Sequence, residues 1–215
     1  MTRTETLKVL TDVGLVPVVR VKSADVLADV AKALLAGGVP VVEVTMTVPG
    51  AIDGIRRLAK SFGKDMLVGV GSVMKTAQAE EAVDAGAQFI VSPVLVPELI
   101  EAAHRLDKVA IPGAFTPTEI FQAHELGADI IKVFPASVGG PAYFKAILAP
   151  MPYLKLMPTG GVDVSTAAAF IRAGAVTLGA GAALVETHAI DMGDWATLTN
   201  LARQFREEVK KGRAK

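Results

Sequence analysis

The chain has 215 residues, 51% of them hydrophobic, and its 22 basic and 22 acidic side chains leave no formal net charge. That composition excludes a disordered chain, which needs low hydrophobicity and a large net charge, and it offers no basic excess for nucleic acid. With no cysteine, and with its three histidines, His104, His124 and His188, scattered, it supplies no disulfide, no thiol chemistry and no metal-ligand spacing.

The length suits a single domain over residues 1–215. No apolar run reaches the roughly 18 residues a bilayer span requires. The first ten residues mix Arg3, Glu5 and Lys8 with threonines and contain no apolar leader. The expected location is therefore the cytoplasm, with neither membrane nor nucleic acid as a partner.

Taken in order, the chain opens with a short helix over 4–13 and a strand over 15–21. Helices at 24–35, 51–62, 76–85, 97–106, 117–126, 143–148 and 165–173 then alternate with strands at 41–44, 66–70, 89–91, 109–112, 130–133, 154–158 and 176–178. A last helix covers 195–211. Every second unit repeats one grammar, in which a glycine closes a helix in the left-handed conformation and a β-rich run follows. Those glycines, Gly37, Gly86, Gly127 and Gly174, are 49, 41 and 47 residues apart, about two strand–helix units each. Strands alternating with helices through about eight units predict an α/β fold of the (β/α)8 TIM-barrel type with a short N-terminal helix. An open doubly wound sheet is the alternative. In a barrel the chemistry lies at the C-terminal ends of the strands.

Two charges interrupt the buried runs. Lys132 sits in Ile130-Ile131-Lys132-Val133-Phe134, where alternation puts Ile130, Lys132 and Phe134 on the inner face. Desolvation there favours the neutral amine, which can attack a ketone to form a Schiff base. A lysine that snorkels to solvent or pairs with a carboxylate is the plainer alternative. Glu43 lies in Val41-Val42-Glu43-Val44 on the second strand, across the ring from the sixth, and both strands are even-numbered and feed one interior layer. An amine and a carboxyl should therefore face one another, as a structural ion pair or as a nucleophile beside a general acid/base. After the seventh strand, Thr159-Gly160-Gly161 precedes a helix and suits an anion, and Gly181-Ala182 ends the eighth with another glycine-rich turn. Arg20, on the inner register of the first strand, can hold a carboxylate or phosphate. All three histidines fall on or after helices and are expected at the surface.

In order along the chain, Glu43-Val44-Thr45, Thr47-Val48-Pro49-Gly50, Gly69-Val70-Gly71-Ser72-Val73, Ser92-Pro93, Ile111-Pro112-Gly113, Lys132-Val133-Phe134-Pro135 and Pro158-Thr159-Gly160-Gly161 resemble the 2-keto-3-deoxy-6-phosphogluconate aldolases, which include 4-hydroxy-2-oxoglutarate aldolases. The resemblance runs from about residue 15 to 184. It implies a class I aldolase without metal or cofactor, acting on a small 2-keto acid through a covalent Schiff base on Lys132, with Glu43 as general acid/base. Thr159, Gly160 and Gly161 match its substrate-binding turn, and Ser72, Pro93 and Phe134 match pocket positions. The family is typically trimeric, which implies a homotrimer. Thr47 stands where many members carry Arg, Ala182 where Ser is frequent, and Ser72 where Thr is usual. Arg20 is the candidate for the positive charge absent at Thr47. The implied substrates are 2-keto-3-deoxy-6-phosphogluconate and 4-hydroxy-2-oxoglutarate. The 6-phosphogalactonate analogue and a non-aldolase phosphate-binding barrel are alternatives.

Overall fold

The computed structural model describes residues 1–214. Helix α1 (Arg3–Val13) begins at a capping box, where Thr2 and Glu5 satisfy one another's backbone N–H groups. It ends at Gly14 in the left-handed conformation. Strand β1 (Leu15–Val19), helix α2 (Leu27–Ala36), β2 (Val41–Thr45), α3 (Ala51–Phe62), β3 (Leu67–Gly71), α4 (Thr76–Asp84), β4 (Phe89–Val91), α5 (Pro97–Arg105) and β5 (Val109–Ile111) follow. The expected fifth strand is broken. Pro112 separates β5 from β6 (Gly113–Ala114), because proline has no N–H to lend to a ladder. Next come α6 (Pro117–Glu125), β7 (Ile131–Val133), α7 (Gly140–Leu148), β8 (Leu156–Pro158), α8 (Val164–Arg172), β9 (Leu178–Ala180), α9 (Thr187–Asp191) and α10 (Trp195–Arg213).

All strand pairs are parallel. One curled sheet has the order β5-β4-β3-β2-β1-β9, and a smaller one β6-β7-β8. A single bridge between Thr159 and Gly179 joins β8 to β9. The result is a parallel sheet of TIM-barrel type whose ladder is not fully closed, with seams at Pro112 and at that bridge. Every residue of every strand is buried, as expected for a sheet covered on its outer face by helices and filled by side chains within. Helix α1 packs against β1 and β5, which stand four places apart in the sheet, so it spans the N-terminal end of the ring. Helix α10 packs against both α8 and α2 and draws the last helix back to the first units.

Four further expectations need correction. Gly37 is not left-handed, with φ −81°; the turn there is made by Gly38 at φ 79°. Helix α9 was not expected, and α7 starts three residues before the predicted 143. His104 is no free surface group. It faces the buried Asp129 carboxylate at 3.1 Å, and Asp129 also accepts from the Ala110 N–H at 2.9 Å and pairs with Arg3 at 3.4 Å. Among the described residues no helix is long and apolar enough to cross a membrane.

Candidate active site

Lys132 lies at the centre of β7, opposite Gly113 on β6 and Met157 on β8, and its N–H donates to the Pro112 carbonyl at 2.9 Å. Glu43 lies at the centre of β2, opposite Val18 and Gly69. Both are interior: Lys132 is 2% exposed and Glu43 1%. They make no ion pair within 4.0 Å, and among the described residues neither Glu43 oxygen has a hydrogen-bond partner. Burial holds the Glu43 carboxyl above its ordinary value, against the opposing pull of the Lys132 and Arg20 charges. Burial likewise pushes the Lys132 amine down; Glu43 resists and Arg20 assists. Desolvation dominates at both groups, so each is driven toward its neutral form. A carboxylic acid and a free amine inside one lumen can exchange a proton with a substrate that forms a covalent bond to nitrogen.

Above them opens a cleft of about 390 Å³ at the C-terminal ends of the strands. Arg20, Phe134, Thr159, Gly160, Gly161, Gly181 and Ala182 line it, so seven of the expected site residues meet in one place. Lys132 and Glu43 lie beneath this lining; the Lys132 Nζ is 5.4 Å from the centroid of the Phe134 ring. The Thr159 hydroxyl is buried with no partner among the described residues, and β9 passes so close that a Cβ on Gly179 would overlap its Oγ1. Gly160 and Gly161 both take positive φ, 84° and 77°, and a Cβ on Gly161 would stand 2.5 Å from the Ser137 Cβ. Conformation thus disfavours a side chain at both positions, and space excludes one at Gly161 as well. Among the described residues the N–H groups of Gly160, Gly161 and Ala182 donate to no protein acceptor. They belong to the lining of the cleft, in which Arg20 is the one cationic side chain.

Asp163 caps α8 with its own carboxylate, which accepts from the Thr166 N–H at 2.9 Å and the Ser165 hydroxyl at 2.7 Å. Those bonds hold the Asp163 carboxyl below its ordinary range. Asp163 lines the cleft and sequence reasoning missed it; an Asp followed by Val-Ser-Thr at a helix start is the signal that could have found it. Thr47, Ser72 and Pro93 do not line the cleft. Thr47 hydrogen-bonds Thr45 at 2.8 Å and borders an adjoining pocket of about 230 Å³, which shares Arg20 with the cleft and includes Lys22 and Asp191. Ser72 ends β3 in the left-handed conformation, φ 59°. Pro93 lies over Gly113, whose missing side chain admits the Pro93 carbonyl next to the Lys132 register.

Among the described residues no group of three or more acidic or histidine side chains could hold a metal ion. The fold is a parallel α/β sheet of TIM-barrel type that buries one amine and one carboxyl inside it. The chain belongs to the KDPG and KHG aldolase family, whose model matches residues 7–201. It is 36% identical to the KHG/KDPG aldolase of Escherichia coli K12 over 209 residues, 97% of this chain and 98% of that one. Among solved structures, a KDPG aldolase from Legionella pneumophila, with pyruvate captured as a covalent carbinolamine intermediate, superposes with a TM-score of 0.86 at 32% identity, covering 92% of this chain and 96% of that one. A structure described as native KDPGal superposes with a TM-score of 0.85 at 28% identity, covering 92% and 95%. The chain is accordingly a lyase that acts on carbon–carbon bonds.

Proposed function

We propose that this chain is a class I aldolase that cleaves 2-keto-3-deoxy-6-phosphogluconate to pyruvate and glyceraldehyde 3-phosphate, and 4-hydroxy-2-oxoglutarate to pyruvate and glyoxylate. The observation that carries the reading is the desolvated Lys132 sharing one lumen with a Glu43 whose oxygens have no protein partner. The free amine of Lys132 adds to the C2 ketone. The proton on Glu43 leaves with the carbinolamine hydroxyl as water, and the iminium forms opposite the new carboxylate. That carboxylate takes the C4 hydroxyl proton as the C3–C4 bond breaks. Its electrons pass to the iminium, which becomes an enamine. The aldehyde departs, C3 regains a proton from Glu43, and water hydrolyses the second iminium to free pyruvate and neutral Lys132, the proton released in that step returning to Glu43. No metal or cofactor enters any step.

Thr159, with its unpartnered hydroxyl, is proposed to hold the keto-acid carboxylate, and Phe134 to wall the reacting carbons. Gly160, Gly161, Gly181 and Ala182, with Arg20, are proposed to take the far anionic group. Thr47, Ser72 and Pro93 support the rim from outside the cleft. In this reading the ring acts as a closed eight-strand barrel. The chain works in the cytoplasm as a homotrimer, and the 6-phosphogalactonate analogue remains the alternative substrate. The trimer draws support from Phe121 and Leu126 on and just after α6 and from Tyr153, which stand 42%, 42% and 54% exposed, with Tyr153 against His124. Borohydride reduction with pyruvate tests the mechanism: a stable adduct on Lys132 is expected, and an adduct that persists in Lys132→Met overturns it. Pyruvate release from each of the three substrates tests specificity.

A further inference from the structure

We infer that Gly71 is the seat of the Glu43 carboxyl, a positioning residue that keeps the side chain of β3 out of the way so that Glu43 can lie inside the lumen. Glu43 pairs with Gly69 on β3, and Gly71 is two residues further toward the C-terminal end, on the same face of the strand. A Cβ at Gly71 would overlap Glu43 Oε1 and stand 2.6 Å from its Cδ and 2.8 Å from its Cγ. The Glu43 side chain therefore runs along β3 and rests its carboxyl directly on the Gly71 backbone. Gly69 does the same a level below, where the Phe89 ring occupies the place of its side chain. Strand β3 thus gives the lumen no side chain at either level. Phe89 fills the lower gap and the Glu43 carboxyl the upper.

Conformation does not explain the glycine. Gly71 is not among the residues with positive φ, and its carbonyl is engaged by the Met46 N–H at 2.8 Å in an ordinary strand contact. Alanine would suit the backbone there, so the need for glycine comes from the approach of Glu43. Immediately after it, Ser72 turns the chain in the left-handed conformation, which lets Val73 return its N–H to Val91 at 3.1 Å. The end of β3 is therefore pinned on both sides and cannot yield to a larger residue at 71. The side chain that must move is Glu43.

The catalytic consequence rests on the reading of Glu43 as the general acid/base, so the test separates the two. In Gly71→Ala the lysine is untouched and pyruvate should still be trapped on Lys132 by borohydride. The kcat for cleavage should fall about 100-fold, as for loss of a general acid/base, with KM changed far less. Glu43→Ala removes every Glu43 atom that stands within 2.8 Å of a Cβ at Gly71. In that background Gly71→Ala should cost less than threefold of the residual kcat. A Gly71→Ala enzyme with unchanged kcat, or equal losses in both backgrounds, overturns the seat. A stability cycle answers without any activity: Gly71→Ala should lower the Tm with Glu43 present and leave it unchanged in Glu43→Ala. If Gly71→Ala does not fold, Gly71→Ala with Glu43→Ala must fold. Failure of that double variant overturns the inference. If the wild-type chain traps no pyruvate, the aldolase reading falls, while the seat stands or falls on the Tm cycle.

Discussion

Glu43 and Lys132 share an interior without bonding to each other. Both are almost wholly buried, no ion pair joins them, and burial drives both toward neutrality. Replacing buried ionisable groups by well-packed apolar ones is often stabilising by roughly 1–4 kcal/mol. Lys132→Met combined with Glu43→Leu should therefore raise stability at neutral pH while abolishing turnover. A double variant less stable than the wild type would show that the interior favours the charges.

The pH dependence of that gain follows from the two shifts. The carboxyl is raised from 4.5, so the wild type loses stability as pH climbs above 4.5 and through the raised value. The amine is lowered from 10.5, so the wild type loses stability as pH falls from 10.5 through the lowered value. The gap between variant and wild type should be widest between those limits. Its Glu43 contribution should close below 4.5 and its Lys132 contribution above 10.5. Denaturant unfolding across pH measures it; a gap independent of pH counts against the shifts.

Arg20 acts on the site in two ways. It is the cation of the cleft, and its charge depresses Lys132. Arg20→Gln should raise KM about tenfold or more, the scale of a lost charged hydrogen bond. It should also move the pH profile of pyruvate trapping toward higher pH, since removing a neighbouring cation lets Lys132 keep its proton longer. A KM effect with no movement of the profile would separate Arg20 from the lysine.

Gly160→Ala asks for φ 84° from a residue with a side chain, at a cost of about 1–3 kcal/mol. The turn should give way before the barrel does. KM for substrates with a distal anion is expected to rise at least tenfold, with trapping of pyruvate, which lacks that group, nearly unchanged. Equal loss for both would mean that the turn holds the keto-acid end.

Phe121→Lys places a charge in the exposed apolar group around α6. Light scattering after size exclusion should report a trimer for the wild type and smaller species for the variant. A monomeric wild type removes the assembly from the proposal.

Lys132 and Glu43 were legible in the sequence because a charge among β-branched apolar residues breaks a period that buried strands keep. Depth along the barrel was less legible. Ser72 and Pro93 lie just beyond the ends of β3 and β4, but alternation does not say how far each strand end stands from the cleft, and both fall outside its lining. Pro112 ends the expected fifth strand because proline usually punctuates; here β6 resumes at the very next residue, Gly113. At Gly37-Gly38 the sequence offers two equivalent candidates for one left-handed position, and only packing chooses, since a Cβ at Gly37 would overlap Ala202 while Gly38 faces open space.

The two seams of the ring divide it into unequal arcs. Glu43 belongs to the six-stranded arc and Lys132 to the three-stranded one. The seams do not sever the ring: the chain runs covalently through Pro112, the Ala110 carbonyl accepts from the Asp129 N–H at 3.1 Å, and the Leu156 carbonyl accepts from the Val176 N–H at 3.0 Å. Glu43 and Lys132 thus stand on different ladders that backbone bonds still tie together, so the span between amine and carboxyl is set by the ring as a whole and by neither ladder alone.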